Sequence, residues 1–198
     1  MTNTPEKELE AIRAIMDLLA PFPPRARQRV WVCEAFLENT GGDAERGDVR
    51  GYFGIGIENG KTVANIGTLW RSAHNLGASF IFTVGQRYKY QASDNTKAWR
   101  SIPLFQYGSF DEFYENLPHD CQLIGVEYPH PKAKALPDFV HPERAIYLLG
   151  AEDHGLSRKA LEKCHHFIMI PGSKLNQSLN VSVAGSIIMY DRQAKGAA

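Results

Sequence analysis

From Tyr52 onward the sequence predicts an α/β fold: a mostly parallel sheet flanked by helices, with a small αα-hairpin in front of it. Three observations predict it. Apolar runs of strand length recur at residues 52–57, 80–84, 121–126, 145–149 and 167–170, with a weaker one at 102–107. Segments of helical period lie between several of these runs. Such alternation favours parallel pairing, because a crossover helix returns the chain to the same end of the sheet. Loops rich in glycine and small polar residues follow the later strands, at the ends where α/β proteins bind ligands.

The elements read in order as follows. Leu9, Ile12, Met16 and Leu19 keep helical spacing, as do Ala26, Val30, Cys33 and Leu37. Pro21, Pro23 and Pro24 separate the two stretches, since proline ends one helix and suits the first turn of the next. Residues 39–51 have no apolar period and read as a linker. This divides the chain into an N-terminal hairpin and linker at 1–48 and a main domain at 49–198. A helix is expected near Asn65, its stripe of Ile66, Leu69, Ala73 and Leu76 closed by Gly77. Ser109 and Glu112 form a capping box before another. Further helices are expected near Ser157 and from about Leu179 to Gln193.

The 198 residues carry 22 basic and 22 acidic side chains, a net charge of zero, which by itself argues against a chain that holds nucleic acid by bulk electrostatics. The zero is a cancellation between blocks. Residues 61–110 carry a net +5 and residues 111–127 a net −5. Within the basic block, the run from Arg87 to Tyr90 (RYKY) interleaves bases with aromatics as a nucleic-acid surface does; a solvated loop anchored by tyrosines has the same composition. Cys33, Cys121 and Cys164 are too dispersed for a disulfide scaffold or a zinc site, and a reducing compartment suits them. The polar, acidic N-terminus does not read as a signal peptide and no apolar run is long enough for a membrane span, so a cytoplasmic protein is expected.

Several motifs compete. Gly60-Lys61-Thr62 ends like a phosphate-cradling loop, but the position needing the first glycine is Ile55. The adjacent His165 and His166 point to opposite sides of an extended chain and lack partners at ligand spacing, so no metal site is expected. The segment Asn65-Ile-Gly-Thr-Leu-Trp-Arg71-Ser-Ala73 places Arg71 almost opposite the apolar stripe, aimed at solvent, a polyanion or another subunit. Asn65 stands at a strand-to-helix junction, where an amide caps the helix or holds a ligand. Two later loops, Leu149-Gly150-Ala151-Glu152-Asp153-His154-Gly155-Leu156-Ser157 and Ile170-Pro171-Gly172 followed by Ser178-Leu179-Asn180-Val181-Ser182-Val183-Ala184, are each readable as a turn plus a cap.

Together and in this order, NxGxxxRxA, LGxExxGLS and IP followed by SLNVSVA resemble the three motifs of the SpoU/TrmH family of RNA ribose methyltransferases, within the SPOUT superfamily. The resemblance runs from about Tyr52 to Arg192. Gly172 stands where the family more often has methionine, and the N-terminal hairpin has no clear counterpart in minimal members. The resemblance implies a C-terminal trefoil knot, which chain-topology rules alone would not suggest, a homodimer, and S-adenosylmethionine bound largely by backbone groups. Val126, Gly150, Ile170, Ser178 and Leu179 would surround the cofactor, with Glu152 bracing the loops and counted with them. Arg71 would be the central catalytic residue, with Asn65, Ser178 and Asn180 orienting it, the ribose or the cofactor. Arg71, Arg87 and Lys89 would meet the RNA. A guanidinium stays charged under nearly all conditions, so Arg71 suits oxyanion stabilisation better than proton abstraction. The implied reaction moves a methyl group to a ribose 2′-oxygen of RNA. Transfer RNA is mildly favoured over ribosomal RNA, because the chain has no room for the extra RNA-binding domain of many ribosomal members. The alternative is a non-catalytic RNA-binding protein on the same scaffold.

Overall fold

A computed structural model describes residues 52–86, 102–172 and 178–196. The expected N-terminal hairpin, the linker and the RYKY run with Arg87 and Lys89 lie outside the described residues. The elements are β1 (Tyr52–Glu58), α1 (Val63–Asn75), β2 (Phe80–Val84), β3 (Leu104–Tyr107), α2 (Phe110–Glu115), β4 (Gln122–Val126), β5 (Ala133–Ala135), a 3-10 turn at Leu136–Asp138, β6 (Arg144–Leu149), α3 (Arg158–Lys163), β7 (His166–Met169) and α4 (Val181–Lys195). The seven strands form one sheet in the order β3-β2-β1-β6-β4-β7-β5. Its six pairings are all parallel.

An all-parallel sheet is covered on both faces, so its strands read as continuous apolar runs and alternate side chains serve two cores. The alternation is clearest in β6. Ala145, Tyr147 and Leu149 join Phe53, Ile55, Ile57 and the apolar faces of α1 and α4. Ile146 and Leu148 point the other way, into a cluster with Phe82, Phe113, Leu156 and Ala160 on the side of α2 and α3. In that second core Phe82 and Phe113 stack at 4.6 Å between centroids, worth about 0.5–1.5 kcal/mol beyond area burial. β1 gives it Tyr52 and then glycine. A Cβ on Gly54 would come within 2.3 Å of the Phe80 ring.

The expected helices are present with shifted ends. α1 begins at Val63 rather than at Asn65, with Thr62 in the capping position and no side-chain cap bond. Asn65 therefore does not cap the helix; it lies inside the first turn. Gly77, at φ 78°, takes the left-handed position that ends α1. Ser109 Oγ accepts the Glu112 N–H at 3.2 Å, while the Glu112 carboxylate accepts the Gly108 N–H at 2.8 Å, one residue before the cap. The last helix starts at Val181 instead of Leu179, because Asn180 caps it. β5 has no counterpart in the sequence reading.

Candidate functional site

The carboxyl ends of β4, β6 and β7 open onto one cleft of about 360 Å³, walled by Val126, Leu149, Met169 and Ile170. Two loops complete it. The first joins β6 to α3. Ala151 and Gly155 exchange N–H···O bonds of 3.0 and 2.9 Å, folding Glu152, Asp153 and His154 into a tight tip. Glycine is required twice here. A Cβ on Gly150 would lie 2.2 Å from the Gly155 carbonyl carbon, and Gly155 itself sits at φ 64°. Ser157 ends the loop by capping α3, its Oγ accepting the Ala160 N–H at 3.2 Å. The second loop joins β7 to α4 and contributes Ser178 and Leu179, with Val181 and Ala184 of the helix itself.

Val126, Gly150, Glu152, Ile170, Ser178 and Leu179, singled out from the sequence, all line this one cleft. Asn65 and Asn180 stand beside it in a side-chain chain. Asn180 Nδ2 donates to Asn65 Oδ1 at 3.0 Å, and Asn65 Nδ2 donates to Glu152 Oε1. Asn65 is 8 % exposed, so its bonds are made in partial shelter from water. The chain joins all three motif segments. Arg71 is not among the residues lining the cleft; it is exposed on α1, opposite the buried Ile66, Leu69 and Ala73. It lies six positions after Asn65, about 9 Å along the helix axis and a third of a turn around it.

Four residues of the site carry roles the sequence reading did not assign. Glu58, 2 % exposed at the end of β1, accepts the Ser157 N–H at 2.8 Å. Glu127, just beyond β4, accepts the Leu156 N–H at 2.7 Å. The two carboxylates hold consecutive amides of the loop against two different strands. Lys61 pairs with Asp153, tying the β1–α1 loop to the tip of the β6–α3 loop. That pair holds the Asp153 carboxyl below its ordinary range, first through the hydrogen bond from Lys61. The legible signal was an acid directly after an apolar strand, for both Glu58 and Glu127. In the sequence, Lys61 reads as the end of a phosphate-type loop and as the first cation of the basic block at 61–110, with nothing to mark Asp153 as its partner. Among the described residues no group of three or more His, Cys, Asp or Glu is arranged to hold a metal ion. No described helix is long and apolar enough to cross a membrane.

Comparison with known proteins gives the architecture relatives. The profile of the SpoU rRNA Methylase family matches residues 53–190. A putative TrmH family tRNA/rRNA methyltransferase of Staphylococcus saprophyticus is 28% identical over 135 residues, 64% of this chain and 52% of that protein. The SpoU methyltransferase AviRb of Streptomyces viridochromogenes, solved in complex with AdoMet, superposes with a TM-score of 0.64 at 23% identity, covering 73% of this chain and 57% of that one. A protein studied for 2-OH methylation of C/U34 on tRNA superposes with a TM-score of 0.62 at 22% identity, covering 74% and 97%. The chain thus spans about half the length of the curated relative it matches.

Proposed function

The chain belongs to the SpoU rRNA methylase family, and from that premise we propose that it transfers a methyl group from S-adenosylmethionine to a ribose 2′-hydroxyl of RNA, transfer RNA before ribosomal RNA. The observation that carries the reading is the convergence of the three motif segments on one cleft: Glu152, Asn65 and Asn180 are hydrogen-bonded in series beside it. The cleft suits the cofactor. Val126, Leu149, Met169 and Ile170 give it an apolar wall, its rim carries Glu152 and Asp153 for a ligand bearing sulfonium and ammonium charges, and its size lies in the range of small-molecule sites. Val126, Gly150, Ile170, Ser178 and Leu179 hold the cofactor there. When bound it supplies a methyl carbon on a sulfonium, which leaves as a neutral thioether.

The rest falls to the chain's own side chains. Arg71 stabilises negative charge on the ribose oxygen as its proton departs to water, and grips a neighbouring phosphate with its remaining N–H groups. Asn65 and Asn180 fix the loops that set the line of attack, where small misplacements are costly. Arg87 and Lys89 extend the RNA contact. Arg71 stands on the exposed face of α1 rather than in the cleft lining, so a homodimer in which one subunit's Arg71 meets its partner's cleft fits the reading. The knotted threading of the C-terminal third belongs to the same proposal.

The test is Arg71→Ala. Calorimetry should find cofactor affinity within about twofold of the parent. Tritium transfer from labelled cofactor to bulk transfer RNA should fall at least about a hundredfold, as loss of an oxyanion partner does. Full transfer activity in this variant would overturn the assignment. Light scattering at micromolar concentration should give the mass of a dimer.

A further inference from the structure

Glu127 is half-buried at the carboxyl end of β4 and lines the cleft next to Val126. Its two carboxylate oxygens are differently engaged. Oε2 accepts the Leu156 N–H at 2.7 Å, fixing the group against the β6–α3 loop. The carboxylate lies so close to Gly155 that a Cβ there would come within 2.6 Å of Oε2 and 2.7 Å of Oε1. Oε1 accepts no hydrogen bond from another described residue. That oxygen is not among the buried unpartnered atoms of the described residues, so water reaches it and a donor on a ligand in the cleft would take the water's place against a carboxylate already fixed in position.

Resting on the cofactor reading above, we infer that Glu127 selects the ribose of the adenosyl group, Oε1 accepting from its vicinal hydroxyls, so that the cleft discriminates against deoxynucleosides. The layout of the cleft favours the ribose over the other two parts of the ligand. The base needs apolar walls, which Leu149, Met169 and Ile170 supply. The amino-acid end carries full charges, whose desolvation is least costly at the exposed rim by Glu152 and His154. A half-buried carboxylate between wall and rim meets the group between base and amino acid. A charged acceptor fixed on one side by a backbone amide suits a pair of hydroxyl donors.

The experiment is calorimetry on the whole chain with S-adenosylhomocysteine, 5′-methylthioadenosine and the 2′-deoxy and 3′-deoxy forms of the latter. In the parent, removing either hydroxyl should weaken binding about tenfold. In Glu127→Gln, which keeps a carbonyl acceptor for Leu156, 5′-methylthioadenosine should weaken by a similar factor and the ribose-to-deoxyribose ratio should fall toward one. Equal binding of ribose and deoxyribose ligands by the parent overturns the inference, with no variant needed. Weakening of S-adenosylhomocysteine alone in Glu127→Gln also overturns it, since the carboxylate would then serve the ammonium group. If neither parent ligand binds the unaltered chain, the cofactor reading itself falls and takes the inference with it. A thermal melt of Glu127→Gln, expected near the parent, separates a ligand effect from loop collapse.

Discussion

The Asn180 side chain accepts the Ser182 and Val183 N–H groups on Oδ1 at 2.9 and 3.4 Å and donates through Nδ2 to Asn65. Capping and site assembly thus use opposite ends of one amide, and two substitutions separate them. Asn180→Ala removes both and should cost about 1–2 kcal/mol in urea unfolding, the usual loss of an N-cap. Asn180→Asp keeps a capping oxygen but no donor for Asn65, so it should recover most of that stability. The methyl transfer proposed above should stay more than about tenfold below the parent, because the Glu152–Asn65–Asn180 series is broken. Recovery of activity together with stability would show that the amide only caps. The three residues were legible one by one, each at a strand or helix junction. Their mutual bonding was not, since 87 and 115 residues of chain separate the partners. Glu58 escaped for a related reason: a glutamate ending a strand looks solvated until the loop whose amide it accepts is placed over it.

Among the elements, α1 and α4 pack closely on the same face of the sheet, with Ser186 Oγ donating to Ser72 Oγ at 2.8 Å. Gly185 makes the approach possible, because a Cβ there would lie 2.5 Å from Leu69 Cδ1 and 3.3 Å from Ile55 Cδ1. Two effects oppose each other in Gly185→Ala. Helix propensity gains up to about 1 kcal/mol, while overpacking a tight core costs about 1–3 kcal/mol. Leu69 is 1 % exposed and Ile55 0 %, so neither has room to yield and overpacking wins. The variant should melt several degrees lower, and a higher melting temperature would mean that the helices are less tightly joined than they look. Element identity was largely readable because the apolar runs are long, buried on both faces and punctuated by Gly77, Ser109 and Ser157. β5 was not readable: Ala133-Lys134-Ala135 has no strand signal of its own and pairs only because β7 offers its edge. The cap at Asn180 displaced the start of α4 by two residues, as competing small polar residues before an apolar run commonly do.

Across the whole molecule, a buried polar cluster ties the C-terminal half of α4 to the sheet. His141, 1 % exposed, has Nδ1 2.6 Å from the Tyr147 hydroxyl and Nε2 2.9 Å from the Asp191 carboxylate. A carboxylate only accepts, so the neutral ring donates from Nε2 and Nδ1 accepts from Tyr147. Arg192 donates to the carbonyls of Pro142 and Glu143 and to the Tyr147 hydroxyl, and Lys195 to the carbonyl of Leu136 and to Asp191. Burial first, then the Arg192 and Lys195 charges, push the His141 pKa below its ordinary value, while Asp191 pulls the other way. The unfolded chain, with an ordinary histidine near 6.5, therefore binds a proton before the folded one does. Stability from this group is complete above about pH 6.5 and is lost as pH falls toward and through the lowered folded value. Burial also pushes the Tyr147 hydroxyl up to about 12, so its contribution is complete below an ordinary tyrosine pKa of about 10 and is lost as pH rises from there through about 12. Burial likewise pushes up the Cys121 and Cys164 thiols and the Tyr107 hydroxyl. The thiols begin to lose their contribution near an ordinary cysteine value of about 8.5, so melting temperatures should be flat from about pH 7 to 8 and decline on either side. His166 is shifted down as well, first by burial, so the parent curve alone does not isolate His141. The difference between parent and His141→Gln does. The glutamine can still donate to Asp191 but takes up no proton, so it should be less stable at pH 7.5 and lose less on acidification to pH 5.5. Parallel curves for the two proteins would remove His141 as the source of the acid limb and leave it to His166 and the carboxylates.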